Sequence, residues 1–147
     1  TEAKDLIDEY FGTYQGVKNY MDSCIKAAKE KECVTTIFGR KRYLPDINSN
    51  NGTVRGLAER NAINAPIQGS AADVVKIAMI RIHNQLIQQN LKSKMIIQVH
   101  DELVLDVFKP ELEVVKKIVA QEMVNAAKLS VSLEVEIGTG SNWLEAH

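Results

Sequence analysis

The sequence predicts an α+β fold in which several long helices pack against a small antiparallel sheet. Apolar residues recur at helical spacing through residues 6–28 and again through residues 57–89, which favours amphipathic helices. Two apolar, β-branched segments, residues 94–99 and 102–107, are separated by two polar residues and predict a strand pair. A third segment, residues 131–137, alternates apolar and polar side chains and predicts a half-buried strand.

The first part of the chain is predicted to form two helices followed by two short strands. Gly12 and Gly16 interrupt the helical pattern near the start, and a second helix follows. The period then changes, because the segment CVTTIFGRKRYLPDI predicts a short strand, a basic turn at residues 39–42 and a second strand ending at Pro45. Residues 48–53 form a polar loop by composition.

A long helical pattern follows, with one side predicted to face the core. That side carries Ala72, Val75, Met79, Ile82 and Leu86. Pro66 lies inside the pattern and is expected to kink or break the helix, because proline has no backbone N–H to donate. Pro110 is expected in the first turn of a later helix, where the missing N–H is harmless. The segment after residue 138 is expected to be short and irregular.

Length and composition are those of a single globular domain, which we expect to be cytoplasmic. A chain of 147 residues can bury a substantial core. The net charge of −1 means that any affinity for a polyanion must come from local patches. No apolar run approaches the roughly 18 residues that span a bilayer, and Cys24 and Cys33 are expected to be reduced thiols. Because the sequence begins at Thr1 without methionine, we expect a piece of a longer chain or a processed protein.

Three consecutive ionisable residues, His100, Asp101 and Glu102, lie at the predicted bend between the two strands. Tight hairpins prefer Asn-Gly or Asp-Gly, so this triplet is a poor choice for the turn itself. Carboxylates at a strand end can bind Mg²⁺, which keeps several waters and is completed by substrate phosphates. Two such ions about 4 Å apart can hold both oxygens of a phosphoryl displacement. A solvated acidic turn is the alternative.

A row of polar residues lies along one side of the long helix. Arg60, Asn64 and Gln68 are spaced four residues apart and can donate to the minor-groove acceptors of DNA, which are nearly the same in every base pair. Such a row of donors would test base-pair geometry without reading the base sequence. The alternative is that these three residues form an ordinary solvent-facing side of the helix. A basic group, Arg40, Lys41, Arg42 and Arg55, could contact phosphates or form a solvated turn.

Four segments match one known family. They are RYLPDI, AERNAINAPIQGSAAD, QVHDELVLDV and GSNWLEAH. In this order they resemble the C-terminal portion of bacterial family-A DNA polymerases of the polymerase I type, and the likeness covers essentially the whole chain. The pairing of AINAPIQGSAAD with a downstream VHDE is highly specific for this family.

The resemblance implies roles for the residues of the acidic turn. Asp101 would be a catalytic carboxylate that binds Mg²⁺, aligned with the second metal-site aspartate of the family. Glu102 would support the primer end or a metal-bound water, and His100 would lie near the primer terminus. The implied reaction is attack of the primer 3′-hydroxyl on the α-phosphate of a deoxynucleoside triphosphate (dNTP), with release of pyrophosphate.

The resemblance also implies the DNA contacts. Arg60, Asn64 and Gln68 would contact primer–template DNA on its minor-groove side. Arg40 and Arg42 would lie near the duplex backbone.

The domain organisation implied by the resemblance is a helical end of the fingers over residues 1–33 and the C-terminal part of the palm over residues 34–147. The first metal-binding aspartate and the fingers helix that holds the nucleotide lie N-terminal to the matching region in the family. The sequence therefore supplies one ligand, Asp101, of a two-Mg²⁺ site. We expect the isolated chain to be inactive, to need the rest of its parent chain, and to self-associate through an exposed sheet edge.

Two other functions remain open from the residues. A non-catalytic nucleic-acid-binding module would bind DNA without depending on a metal. A metal-dependent phosphodiesterase would need a compact cluster of Asp, Glu and His, and only residues 100–102 are clustered in the sequence.

Overall fold

The computed structural model describes residues 2–147 and forms two compact units, one ending at Ser70 and the other comprising Ala71–His147. Its mixture of helices and antiparallel two-stranded sheets confirms the α+β class. The division into fingers and palm residues stays a prediction. The elements in chain order are α1 Glu2–Thr13, α2 Gln15–Lys31, β1 Cys33–Thr35, β2 Lys41–Tyr43, a 3₁₀ turn Pro45–Asn48, α3 Gly52–Gln88, β3 Lys94–Val99, β4 Glu102–Asp106, a 3₁₀ turn Lys109–Glu111, α4 Leu112–Val124 and α5 Trp143–Ala146.

The core of the first unit is a small cluster built largely from alanines. Its helical members on α3, Ala58, Ala62 and Ala65, are spaced so that they share one side of the helix. Because alanine adds little bulk, the backbone of α3 can approach its neighbours closely. The complete cluster is Ala28, Val34, Leu44, Ile47, Ala58, Ala62 and Ala65. Helix α1 lies outside this cluster and has no buried residue.

The β1–β2 hairpin differs in detail from the prediction. Its antiparallel register pairs Val34 with Arg42. Arg42 therefore lies in a strand, and the predicted basic turn at residues 39–42 is wrong. The chain turns at residues 37–39 instead, where Gly39 has a φ of +83° that favours glycine. The second strand also ends earlier than predicted, because Pro45 begins the 3₁₀ turn.

Helix α3 continues through Pro66 without a break. A proline inside a helix costs about 3 kcal/mol, because the carbonyl four residues earlier loses its donor and the ring crowds it. Ala62 and Ala65, on the N-terminal side of the proline, are buried in the core. Ser70, one turn later, donates its hydroxyl to the Pro66 carbonyl at 2.5 Å. Of the predicted kink or break, the break is wrong, because α3 is helical on both sides of Pro66 and packs into the core beside it.

The core of the second unit joins the later part of α3 to α4 and the β3–β4 hairpin. Ile82 and Leu86 of α3 are buried, as the helical stripe predicted, while Ala72, Val75 and Met79 are half-buried. Leu103 and Leu105, which alternate along β4, pack against the same cluster. The buried members of the cluster are Ile82, Leu86, Val115, Ile118 and Val119.

Glu111 anchors the open end of the β3–β4 hairpin. Its carboxylate accepts hydrogen bonds from the Lys92 N–H at 3.0 Å and from the N–H and hydroxyl of Ser93 at 3.0 and 2.6 Å. The Ser93 Oγ in turn accepts from the Phe108 N–H at 3.1 Å. The Lys92 N–H, followed by the Ser93 hydroxyl, lowers the pKa of Glu111 below its ordinary value. The segment entering β3 is thereby tied to the segment leaving β4.

The predicted strand at residues 131–137 is wrong, because the structure assigns no regular element there. The alternation survives in part: Leu133 and Val135 are half-buried, whereas Glu134 and Glu136 are exposed. A strand requires a neighbouring strand for its backbone hydrogen bonds, and residues 2–147 provide none for this segment. The segment after residue 138, predicted to be irregular, contains the short helix α5. Within the described chain, no helix combines the length and apolar character needed to cross a bilayer.

Candidate nucleic-acid and metal site

The acidic triplet lies at a two-residue turn. Val99 pairs with Glu102 in the β3–β4 register, so His100 and Asp101 alone connect the strands. His100 adopts a φ of +53°, which costs a non-glycine residue roughly 1 kcal/mol. The Gln98 side chain donates to the His100 carbonyl at 2.8 Å and braces the turn. The chain therefore carries an ionisable residue where glycine would be less strained, which is common at functional sites.

A β-bulge lies close to this turn. Met95 pairs with Leu105 and Ile97 pairs with Val104, so Ile96 is an extra residue on β3. Bulges change the direction of the side chains that follow and are frequent next to binding sites. No local pattern predicts this bulge, because Ile96 and Ile97 are equally good strand residues.

The two adjacent carboxylates have different surroundings. Asp101 is exposed, and its side chain makes no hydrogen bond or ion pair within residues 2–147. It is therefore available to a ligand rather than committed to an internal salt link. Glu102 is half-buried, and its Oε1 lies 3.0 Å from Nδ1 of His147. Sequence reasoning missed this contact, because no local pattern links residues so far apart.

The chain by itself supplies few candidate metal ligands. In the part of the chain that the structure describes, no three His, Cys, Asp or Glu side chains lie close enough together to hold an ion. Mg²⁺ needs only one or two protein carboxylates when substrate phosphates and waters complete its shell. An exposed Asp101 on a rigid hairpin, with Glu102 beside it, fits such a partial site.

A cavity of about 600 Å³ opens next to the turn. Asp101 and Glu102 lie at its acidic edge, and the apolar side chains of β4 and α4 form much of its wall. The irregular segment at residues 134–137 lines it as well. The cavity therefore separates β4 from the segment that was predicted to be a strand.

The polar row on α3 belongs to the first unit. Arg60, Asn64 and Gln68 are all exposed. Their side chains make no hydrogen bond or ion pair with other described residues. Three long polar side chains on one side of a helix, uncommitted to the protein, are suited to bind an external partner.

Arg40 has a structural contact that the sequence did not predict. Its Nη2 donates to the Gly69 carbonyl at 3.0 Å, so the guanidinium helps to fix the β1–β2 hairpin on α3. Arg42 is exposed on β2 and remains a candidate for phosphate contact. Of the two predicted backbone-binding arginines, Arg42 is the one for which the structure shows no such internal role.

Gly69 and Ser70 complete the attachment of this hairpin. The Ser70 Oγ accepts from the Ile37 N–H at 3.0 Å. A β-carbon at Gly69 would lie 2.7 Å from Cγ2 of Thr36, so only glycine allows this approach. The close approach that Gly69 allows is therefore made by the chain's own β1–β2 hairpin.

Known proteins match this sequence over nearly its whole length, including the residues described above. The model of DNA polymerase family A matches residues 1–145. The chain belongs to DNA polymerase family A. It is 52% identical over 145 residues to DNA polymerase I of Streptococcus pneumoniae, and 51% identical over 144 residues to that of Caldicellulosiruptor bescii. These matches cover 99% and 98% of this chain but only 16% and 17% of the two relatives.

A solved family structure has the same fold. The polymerase domain of Pol1 from M. smegmatis, in complex with DNA primer-template and dNTP, matches with a TM-score of 0.96 and 42% identity. The match covers 99% of this chain and 26% of that one. The resemblance in the four quoted segments is thus confirmed over the whole chain, while the role of each site residue stays a prediction.

Proposed function

We propose that this chain supplies part of the catalytic centre of a DNA-directed DNA polymerase that acts in DNA replication and repair. The reaction is template-directed transfer of a nucleotide from a dNTP to a primer 3′-hydroxyl, with release of pyrophosphate. The observation that carries the proposal is the exposed, uncommitted carboxylate of Asp101 on a braced two-residue turn. The M. smegmatis relative, solved with primer-template and dNTP, supports DNA and dNTP as partners.

Asp101 would hold Mg²⁺, with Glu102 beside it supporting the primer end or a metal-bound water. When bound, the cation would neutralise negative charge on the reacting phosphate. The hairpin contributes rigidity, because the position of a carboxylate on paired strands is fixed more tightly than on a free loop. His100 would lie near the primer terminus, at the strained position of the turn.

The exposed row Arg60, Asn64 and Gln68 would donate hydrogen bonds to the minor-groove side of the primer–template duplex. Arg42 would contact the duplex backbone, and Arg40 would do so while it also holds Gly69. Neither kind of contact reads base identity, as a polymerase that copies any template requires.

The remainder of a family-A polymerase is a further proposed partner, since the chain spans about a sixth of the length of the relatives it matches. The cavity between β4 and residues 134–137 has apolar walls, and β4 pairs only with β3 among residues 2–147, so its other edge suits an additional strand. The strand bearing the first metal-binding aspartate is the proposed occupant. The isolated chain would then be inactive and would tend to pair with other copies through the same edge.

The decisive experiment replaces Asp101 in the full-length polymerase that contains this sequence. Asp101→Asn should lower kcat for single-nucleotide incorporation on the order of 10³-fold, because it weakens a metal ligand. The Kd for primer–template DNA should change little, since the phosphate contacts remain. Equal losses in turnover and DNA affinity would contradict a metal-binding role for Asp101.

Gln68→Ala is the matched variant, because it should have the opposite profile. Loss of one hydrogen bond should weaken DNA affinity about fivefold, with a smaller change in turnover at saturating DNA. A wild-type protein that binds DNA without metal-dependent incorporation would indicate a non-catalytic binding module instead. Primer extension by the isolated chain, abolished by Asp101→Asn, would overturn the proposed need for the rest of the polymerase.

A further inference from the structure

Residues 138–147, which we call the tail clasp, fold back on themselves very closely. A β-carbon at Gly138 would lie only 1.7 Å from the Ala146 carbonyl oxygen, and one at Gly140 would lie 2.5 Å from Cβ of Glu145. Neither position can accept a side chain without moving the backbone of α5. The two glycines therefore allow the chain to double back and bring its last residues beside its own path.

Glu145 ties the tail clasp together. Its Oε2 accepts from the Ser141 hydroxyl at 2.5 Å and from the Ser141 N–H at 2.9 Å. Asn142 donates to the other carboxylate oxygen at 2.8 Å and accepts from the Glu145 N–H at 3.1 Å, as an N-cap does. The Ser141 hydroxyl, above all, lowers the pKa of Glu145 below its ordinary value. An exposed four-residue helix gains its order from this closed set of hydrogen bonds.

The tail clasp ends at His147, whose Nδ1 lies 3.0 Å from Oε1 of Glu102. Glu102 follows Asp101 directly and begins β4. We propose that His147 is a positioning residue for nucleotidyl transfer: its imidazole Nδ1–H holds the Glu102 carboxylate, and the tail clasp presents the imidazole. The inference rests on the proposed polymerase function and adds a residue that acts through Glu102 without touching substrate.

The physical reason is the exposure of Glu102. Its side chain is 40% exposed, and the contact with His147 is its only hydrogen bond or ion pair within residues 2–147. Without that contact the carboxylate would sample several rotamers beside the turn. A small misplacement near reacting atoms lowers the rate more than it lowers binding, because catalysis depends on a narrow set of geometries.

The experiment compares two replacements of His147 in the full-length polymerase. His147→Ala should lower kcat for single-nucleotide incorporation about five- to tenfold, with the KM for dNTP and the Kd for primer–template changing less than about twofold. In His147→Asn the side-chain N–H takes nearly the place of Nδ1–H, so kcat should recover to within about twofold of the wild type. His83→Ala is the control, since His83 is exposed on α3 and should leave kcat unchanged.

A second variant disrupts the tail clasp without altering His147. Gly138→Ala must displace the Ala146 carbonyl and should lower kcat as His147→Ala does. The double variant should be no worse than either single one, because both act through one contact. Thermal unfolding of each variant distinguishes local displacement from loss of the fold.

Three outcomes would overturn the inference while leaving the polymerase function intact: His147→Ala with wild-type kcat, failure of His147→Asn to restore it, or additive losses in the double variant. An inactive wild-type polymerase would instead contradict the proposed function itself, so the two failures are distinguishable.

Discussion

The two β-hairpins of this molecule are attached to the rest of the chain in different places, one at its turn and the other at its open end. The β1–β2 hairpin is fixed at its turn, where the Ile37 N–H binds Ser70 and the Arg40 guanidinium binds the Gly69 carbonyl. The β3–β4 hairpin is fixed at its open end, where Glu111 joins the segments that enter and leave it. Each hairpin is thereby anchored to its own unit, but only the first uses its turn to do so.

The consequence concerns the polar groups of each turn. In β1–β2, the Ile37 N–H and the Arg40 guanidinium are engaged by α3, and the Thr36 hydroxyl accepts from the Arg40 N–H within the hairpin itself. In β3–β4, the anchoring is done elsewhere, and Asp101 remains uncommitted within the described chain. A charged turn is thus available to a ligand when another part of the hairpin provides the attachment.

Among the tests of this difference between the hairpins, Gly69→Ala should have the largest effect. The added β-carbon would approach Thr36 to 2.7 Å, and the hairpin would have to move. Local opening of β1–β2, followed by hydrogen exchange of the Thr36 and Gly39 amides, should become easier by about 1–3 kcal/mol.

Gly56→Ala is the matched control for Gly69→Ala. It lies in the same helix, and its added β-carbon would meet nothing within 4 Å. The change should stabilise α3 by roughly 0.5–1 kcal/mol, because alanine is the better helix former. If both variants gave the same exchange pattern, the close contact at Gly69 would not be what holds the turn.

A second test, with a smaller expected effect, replaces in turn the residue with positive φ in each of the two hairpin turns. His100→Gly should relieve strain and stabilise β3–β4 by up to about 1 kcal/mol, while Gly39→Ala should destabilise β1–β2 by about the same amount. Hydrogen exchange of the strand amides measures both. No gain in His100→Gly would show that the histidine side chain compensates for its backbone conformation.

The smallest test concerns the open end of β3–β4. Because the hydrogen bonds lower the folded-state pKa of Glu111 below 4.5, this carboxylate stabilises the hairpin above that pH. This contribution to stability is lost as the pH falls through the pKa that Glu111 has in the folded state. Glu111→Gln should therefore lower the unfolding midpoint at neutral pH, and the difference from the wild type should shrink in acid. A difference independent of pH would contradict this assignment.

Features that depend on local pattern could be predicted from the sequence. The β3–β4 strand pair and the burial of Ile82 and Leu86 follow from apolar periodicity, and the strands are predicted with nearly the observed bounds. Four short segments were enough to identify the family. The role of Asp101 as a metal ligand stays a prediction.

Features that depend on distant contacts could not be predicted. The segment 131–137 has the alternation of a strand, but alternation supplies no partner for its backbone. Pro66 has a strong helix-breaking tendency, yet packing beside it keeps α3 continuous. The Ile37–Ser70 and Glu102–His147 contacts join residues far apart in the chain, and no local pattern reveals them.

The bulge at Ile96 has a consequence for protein engineering. Deleting Ile96 would leave Met95 paired with Leu105 and Ile97 paired with Val104, but Met95 and Ile97 would become neighbours in the chain and their side chains would lie on opposite faces of the strand. Libraries built around this hairpin should therefore vary residue identity and keep its length constant.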